Sequence, residues 1–328
     1  MRLLLDANNA AYRANATTDL TTKQGERVSA IYGMLQMIQS YLKPSEGKYT
    51  NKLLDSLRIV QGDDELLFNE VVCAWDAGRS KQRMDIFPDY KGSRDAKKAT
   101  QSEEEKQAYL QFIDQMNQLH AILPTFGVKS LKIPKWEGDD LVYVVTQMAN
   151  DDVNVIVSTD KDMLQLVSDK VYVWSPFKEA LITPKNFTTI VGVPQSQYMT
   201  YRILNGDSSD NIPGVHGIGD VKAKKLLSQY GSLDGIKAAR ADLMKSKVFS
   251  RIFDDNYSLL NRNDKLMNLS HVDYKAIASE VADVLSRETK FDAKEVKNFL
   301  AAKQFVSILA DFLMWSMMFR LLGKQDDE

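Results

Sequence analysis

Three short apolar runs, at residues 3–5, 71–75 and 153–157, each lead to an aspartate: Asp6, Asp76, and Asp160 with Asp162. Between them, apolar residues recur at helical spacing over 28–42, 103–122 and 139–148. Strands alternating with helices predict an α/β fold with a mostly parallel sheet. Parallel strands all point the same way, so acids at their C-terminal ends gather along one edge. In open α/β sheets that edge is where ligands bind.

Further acids follow. Glu137, Asp139 and Asp140 open the helical stretch whose apolar face is Leu141, Val144, Val145 and Met148. Taken alone, that trio reads as caps or partners of the helix dipole. Asp207 and Asp210 form another close pair. Closely spaced carboxylates repel unless cations sit between them. Oxygen-only sites suit magnesium or manganese rather than zinc. Two hard cations ~3.5–4 Å apart could activate a water and stabilise the leaving oxygen of a phosphodiester. His120, His216 and His271 are scattered and offer no cluster. The single cysteine, Cys73, sits inside an apolar run and reads as a buried small hydrophobe. One cysteine excludes an intramolecular disulfide and a cysteine-rich zinc site, and fits a reducing compartment.

The formal net charge of −2 looks unsuited to a nucleic-acid binder, but with those nine acids set aside the remaining chain is net positive. Positive charge is concentrated over 79–98, where Arg79, Lys81, Arg83, Lys91, Arg94, Lys97 and Lys98 outnumber Asp85, Asp89 and Asp95, with Phe87 and Tyr90 between them. Such a run is usually a solvated loop; directly after a strand-end aspartate it also suits an element that grips a single strand. The string Gly206-Asp207-Ser208-Ser209-Asp210-Asn211-Ile212-Pro213-Gly214-Val215-His216-Gly217-Ile218-Gly219 precedes Asp220, Lys222, Lys224 and Lys225. Gly217 and Gly219 allow a tight turn and close backbone approach. Asp220 is expected to cap the next helix, whose free amides suit a phosphate oxygen. This is the helix-hairpin-helix pattern, which holds a DNA backbone without reading bases.

The polar stretch 43–69 is read as a surface insertion. Residues 305–322 are apolar but carry Asp311 and Arg320, so a core helix is expected rather than a membrane span, with docking on a replication partner as the second reading. The first residues read as a strand, not a signal segment.

These motifs together resemble the 5′-nuclease family: the nuclease domain of bacterial DNA polymerase I, phage 5′-exonucleases and flap endonucleases. Leu4-Leu5-Asp6-Ala7-Asn8 with Tyr12-Arg13 is similar to the family's first acidic motif. Ala74-Trp75-Asp76-Ala77 is similar to the second, and Pro88-Asp89-Tyr90-Lys91-Gly92-Ser93-Arg94 to its arch segment. Glu137-Gly138-Asp139-Asp140 resembles Glu-Ala-Asp-Asp with glycine in place of alanine, and Ser158 to Val167 resembles the strand-end motif. The motifs run in family order from Asp6 to about Leu227; beyond about Asp242 the likeness is weak.

The resemblance implies a PIN-like sheet over 1–185 with a helical arch at about 79–106. A helical region over 186–322 would carry the hairpin motif at about 206–230, before a flexible tail at 323–328. It implies two Mg2+ ions, with Mn2+ able to substitute. Asp6, Asp76, Glu137, Asp139 and Asp140 would hold the more tightly bound, catalytic ion; Asp160, Asp162, Asp207 and Asp210 would hold the second, weaker one. Lys91 and Arg94, assisted by Arg13, would steady the scissile phosphate. Tyr90 could stack on a base, and Arg202, Gly217, Gly219, Lys222, Lys224 and Lys225 would meet DNA. A K+ ion on the hairpin carbonyls belongs to the same expectation. The implied reaction is hydrolysis at 5′ single-strand/duplex junctions, on DNA with a 5′ flap or 5′ end and on RNA–DNA hybrids, during replication. A replication clamp or single-strand-binding protein is the implied partner, and a monomer in the cytoplasm of a bacterial or phage-infected cell the implied setting. A PIN-type endoribonuclease and a non-catalytic DNA-binding scaffold are the rival readings.

Overall fold

The computed structural model describes residues 1–63, 66–148, 153–253 and 256–322. The chain forms two compact units. One comprises Met1–Gly78, Ser102–Ile182 and Asp273–Glu328; the other comprises Arg79–Gln101 and Thr183–Val272.

The first unit is built on a six-stranded sheet. Its strands are β1 (Arg2–Asp6), β2 (Glu70–Ala74), β3 (Lys129–Leu131), β4 (Asn154–Val157), β5 (Val171–Ser175) and β6 (Ala180–Ile182), in the order β3-β2-β1-β4-β5-β6. All neighbours are parallel except β6, which runs antiparallel on β5. The expected α/β sheet is therefore present. β1, β2 and β4 are almost wholly buried, which is why they read as unbroken apolar runs rather than alternating ones. β1 lies between β2 and β4, so Asp6 stands level with Ala74 and Leu5 level with Val157. The connections reverse direction at β1, and beyond the strand ends at such a reversal is where open α/β sheets bind ligands.

The helices Ser29–Leu42, Glu103–Ile122 and Gly138–Met148 coincide closely with the periodic stretches. The first buries Ile31, Met34, Leu35 and Ile38 at helical spacing. The reading of 43–69 as a surface insertion is corrected. The helix Lys52–Gln61, capped by Asn51 Oδ1 accepting the Leu54 amide at 3.1 Å, buries Leu53, Leu54 and Leu57 in the main core, and Phe68 joins them. Residues 305–322 pack as expected. Helices Val306–Ala310 and Phe312–Leu321 contribute Ile308, Phe312, Trp315, Met318 and Phe319 to that core. Leu313, Met314 and Met317 face outward. The tail at 323–328 lies outside the described residues. Among the described residues no helix is long and apolar enough to cross a membrane. Cys73 is fully buried, and burial pushes its thiol far above the usual range, as an inert core cysteine requires.

The second unit is helical. Tyr198–Asn205, Asp220–Tyr230 and Leu233–Ala238 surround a core that includes Ile203, Leu204, Val215, Leu226, Leu227, Ile236 and Leu260. A two-stranded ribbon, Gly206–Asp207 with Ile212–Pro213, lies between the first two of these helices. The basic segment adds two helices, Lys81–Ile86 and Gly92–Ala99. The first is anchored by buried Arg83, whose Nε donates to the Leu266 carbonyl at 2.9 Å. The second buries no residue.

Candidate active site

In the first unit, backbone register alone brings the acids after β1, β2 and β4 together. Asp6 caps the helix Ala7–Thr17, accepting the Asn9 amide at 3.1 Å. Its second oxygen accepts from Ser158 Oγ at 3.0 Å, and that same hydroxyl accepts the Asp160 amide at 2.9 Å. Ser158 is buried, so one small side chain ties the end of β1 to the turn after β4. Asp160 in turn caps the 3-10 turn Lys161–Leu166 through the Asp162 amide at 2.8 Å. Asn8 Oδ1 accepts the Asp76 amide at 3.0 Å, while Asn9 exchanges hydrogen bonds with Thr159 at 2.7 and 3.2 Å. Two neighbouring amide side chains thus join β1 to the strand ends on either side.

The acids that open Gly138–Met148 join from the other direction. Glu137, Asp139 and Asp140 offer carboxylate oxygens within 4.8 Å of one another, and Glu137 and Asp140 are buried. The capping reading holds in part, since Asp140 accepts the Glu137 amide at 3.2 Å and Asp139 the Asp140 amide at 2.9 Å. The Gly138 amide donates to Asp76 Oδ1 at 2.6 Å. A Cβ at Gly138 would stand 3.2 Å from both that oxygen and the Ala74 carbonyl. The glycine therefore lets this helix start press against the β2 strand end. Arg13 is half-buried on the Ala7–Thr17 helix.

Burial, and then the charges of Asp76 and Asp160, push the Asp6 carboxyl up to about 7, against the opposing hydrogen bonds from Asn9 and Ser158. The donor set is all oxygen, anionic and crowded, which fits hard divalent cations. An acid raised in this way holds a proton in the folded state that the unfolded chain has lost. Stability of the cation-free protein therefore falls as pH rises from about 4 to about 7. Asp6→Asn should remove up to ~4 kcal/mol of that penalty, so that melting in EDTA at pH 8 occurs above wild type and at pH 4 close to it. Parallel pH profiles for the two proteins would contradict this assignment.

In the second unit, Asp207 ends the first ribbon strand and Asp210 lies in the turn that follows. Asp207 accepts from Arg202 at 2.7 Å and from Ser209, and its carboxyl is held below the usual range by those hydrogen bonds and the guanidinium, against burial. Asp210 meets Arg94 at 2.6 Å, the Tyr90 hydroxyl at 3.2 Å and Lys91 Nζ at 3.7 Å. Two DNA-contact expectations change here. Tyr90 is 2% exposed and packed with Ile212, Leu266 and Met267, so its ring is not presented for stacking. Arg202 is 5% exposed and faces Asp207 rather than solvent. At the hairpin, Gly217 adopts φ +80°, and Gly219 rather than Asp220 occupies the cap position of Asp220–Tyr230. Asp220 instead accepts from the Tyr201 hydroxyl at 2.6 Å and pairs with Lys224 at 3.0 Å. Lys222 donates to the Gly217 carbonyl at 2.7 Å, and Lys225 is exposed.

Residues 1–192 match the 5′-3′ exonuclease N-terminal resolvase-like domain, and residues 193–289 match the 5′-3′ exonuclease C-terminal SAM fold. The chain belongs to the 5′-3′ exonuclease family. It is 29% identical to the thermostable DNA polymerase I of Thermus aquaticus over 94% of its own length, though it spans only 33% of that protein. It is 27% identical to a 5′-3′ exonuclease of Aquifex aeolicus, covering 92% of this chain and 97% of that one. Its fold is that of bacteriophage T5 5′-exonuclease with zinc ions bound, at a TM-score of 0.62, 21% identity and coverage of 94% and 100%. A complex of the phage flap endonuclease with DNA and metal ions superposes at 0.60, with 21% identity over 92% and 99% of the two chains. The family match extends past Asp242, where sequence motifs alone show little likeness.

Motif reading missed Ser158, Asn8, Asn9 and Thr159 as residues that position family acids. Each is a small polar residue within three positions of Asp6 or Asp160, and that proximity was the available signal.

Proposed function

We propose that this chain is a magnesium-dependent, structure-specific 5′-nuclease, a flap endonuclease and 5′→3′ exonuclease acting on 5′ flaps, 5′ ends and RNA–DNA hybrids during replication. The reading rests most on one observation. Three adjacent parallel strands and one helix start deliver Asp6, Asp76, Asp160 and the Glu137/Asp139/Asp140 cluster to one edge of one sheet. Membership of the 5′-3′ exonuclease family supports it.

Asp6, Asp76, Glu137, Asp139 and Asp140 would hold one Mg2+ ion, and Asp160, Asp162, Asp207 and Asp210 the second; Mn2+ could replace either. Cations there supply Lewis-acid activation of a water and charge stabilisation at the scissile phosphate. The chain's own residues set the geometry. Ser158, Asn8 and Asn9 fix the spacing of the strand-end acids. Lys91 and Arg94, assisted by Arg13, hold the phosphate in line for attack. The amides that open Asp220–Tyr230, with Lys222 and Lys225, hold the duplex backbone. Hairpin carbonyls would take a K+ ion. The products are 5′-phosphate and 3′-hydroxyl ends.

A substrate panel tests the reading: a 5′-labelled flap duplex, a blunt duplex and a single-stranded RNA, each with Mg2+. Cutting at the flap junction is expected to exceed cutting of the RNA by at least about tenfold. Preferential RNA cleavage would point to a PIN-type endoribonuclease, and binding without cleavage to a scaffold.

A further inference from the structure

The loop that presents Asp207 and Asp210 is already supplied with cations by its own unit. Asp210 is mostly buried, its side chain 16% exposed, and three side chains of the basic segment converge on it: Arg94, Lys91 and Tyr90. Main-chain bonds hold the two segments in place independently. The Lys91 amide donates to the Asp210 carbonyl at 2.9 Å, and Asn211 Nδ2 donates to the Asp89 carbonyl at 2.8 Å. Lys91 adopts the left-handed region at φ 56°, a conformation a lysine keeps only when the surroundings impose it, and Asn211, a residue that tolerates that region, adopts it at φ 60°. The two segments are thus fastened through the backbone, and the charged contacts are separate from the fastening.

Arg94 differs from the other partners. Its side chain is 50% exposed, while Lys91 is 11% exposed and Tyr90 is buried. It has one guanidinium, and that group cannot serve Asp210 and a substrate phosphate at full strength together. A divalent cation and the guanidinium also compete for the same carboxylate oxygens.

We propose that Arg94 is an exchangeable counter-ion of Asp210: it holds the carboxylate in the cation-free protein and yields it to a divalent cation, which frees the guanidinium for the substrate phosphate. The inference rests on the metal-dependent nuclease reading and deepens it. Filling of the weaker cation site and arming of the basic segment become one event. The same arginine that promotes cleavage opposes cation binding before substrate arrives.

The test is Mn2+ binding to the DNA-free protein, followed by electron paramagnetic resonance, for wild type, Arg94→Ala, Asp210→Asn and the double variant. Arg94→Ala should tighten the weaker class of Mn2+ site by roughly two- to fivefold, the scale of a half-exposed ion pair, and leave the tighter class unchanged. In the Asp210→Asn background the gain should vanish. Unchanged or weaker Mn2+ binding by Arg94→Ala would overturn the proposal, as would a gain that persists without the Asp210 charge. Failure of every form to bind Mn2+ would overturn the nuclease reading itself, a result distinct from a wild type that binds and an Arg94→Ala variant that does not gain.

Discussion

Replacing Asp160 by Asn is expected to slow flap cleavage by roughly 10³-fold or more while leaving flap binding nearly intact. The substitution removes a negative charge and keeps the size of the side chain. Asp160 is exposed in the turn after β4, and its Oδ1 accepts the Asp162 amide, a bond an asparagine oxygen can keep. The Ser158 hydroxyl accepts the Asp160 amide, a main-chain bond that the substitution leaves in place. What is lost is one of the negative charges that act on Asp6, and with it part of the attraction for a cation. Single-turnover cleavage beside equilibrium binding of the same substrate checks this. A scaffold would lose nothing, and a variant within tenfold of wild type would remove Asp160 from the cation-holding set.

Phe319→Ala should destabilise the fold by ~3–5 kcal/mol. Phe319 is fully buried, 5.3 Å from Phe126 and 5.2 Å from Trp315 between ring centres. The helix that carries it is apolar nearly all round, yet only one face is packed. Leu313→Ala on the outward face, where the side chain is 73% exposed, should cost less than ~0.5 kcal/mol. Urea unfolding of both variants separates a core helix from a loosely attached one. Equal midpoints would mean that 305–322 is not part of the core. A truncation ending at Gln304 that stayed folded and active would mean the same.

The sequence carried the sheet and its acids because buried parallel strands must be continuously apolar and an acid at such a strand end is conspicuous. The register that sets Asp6 beside the ends of β2 and β4 follows from parallel pairing. β3 escaped notice: Lys129-Ser130-Leu131 is three residues long at the sheet edge, with no apolar run. The Lys52–Gln61 helix was hidden by its polar flanks, although Leu53, Leu54 and Leu57 have helical spacing. The resemblance assigns Tyr90 and Arg202 to DNA contact, and a sequence does not show whether those side chains are buried or exposed. Only tertiary packing puts them behind Asp210 and Asp207. The union of Arg79–Gln101 with Thr183–Val272 was likewise out of reach, since it depends on contacts between segments far apart in sequence.

The central claim is that carboxylates at one sheet edge make a cation-dependent nuclease specific for 5′ junctions. Its most direct test is cleavage of a 5′-labelled flap duplex in Mg2+ and, in parallel, in EDTA, with the cut position and end groups mapped. The account predicts cutting at or within a nucleotide or so of the junction in Mg2+, leaving 5′-phosphate and 3′-hydroxyl ends, and none in EDTA. Equal cleavage with EDTA present, or cuts scattered without regard to the junction, would contradict it.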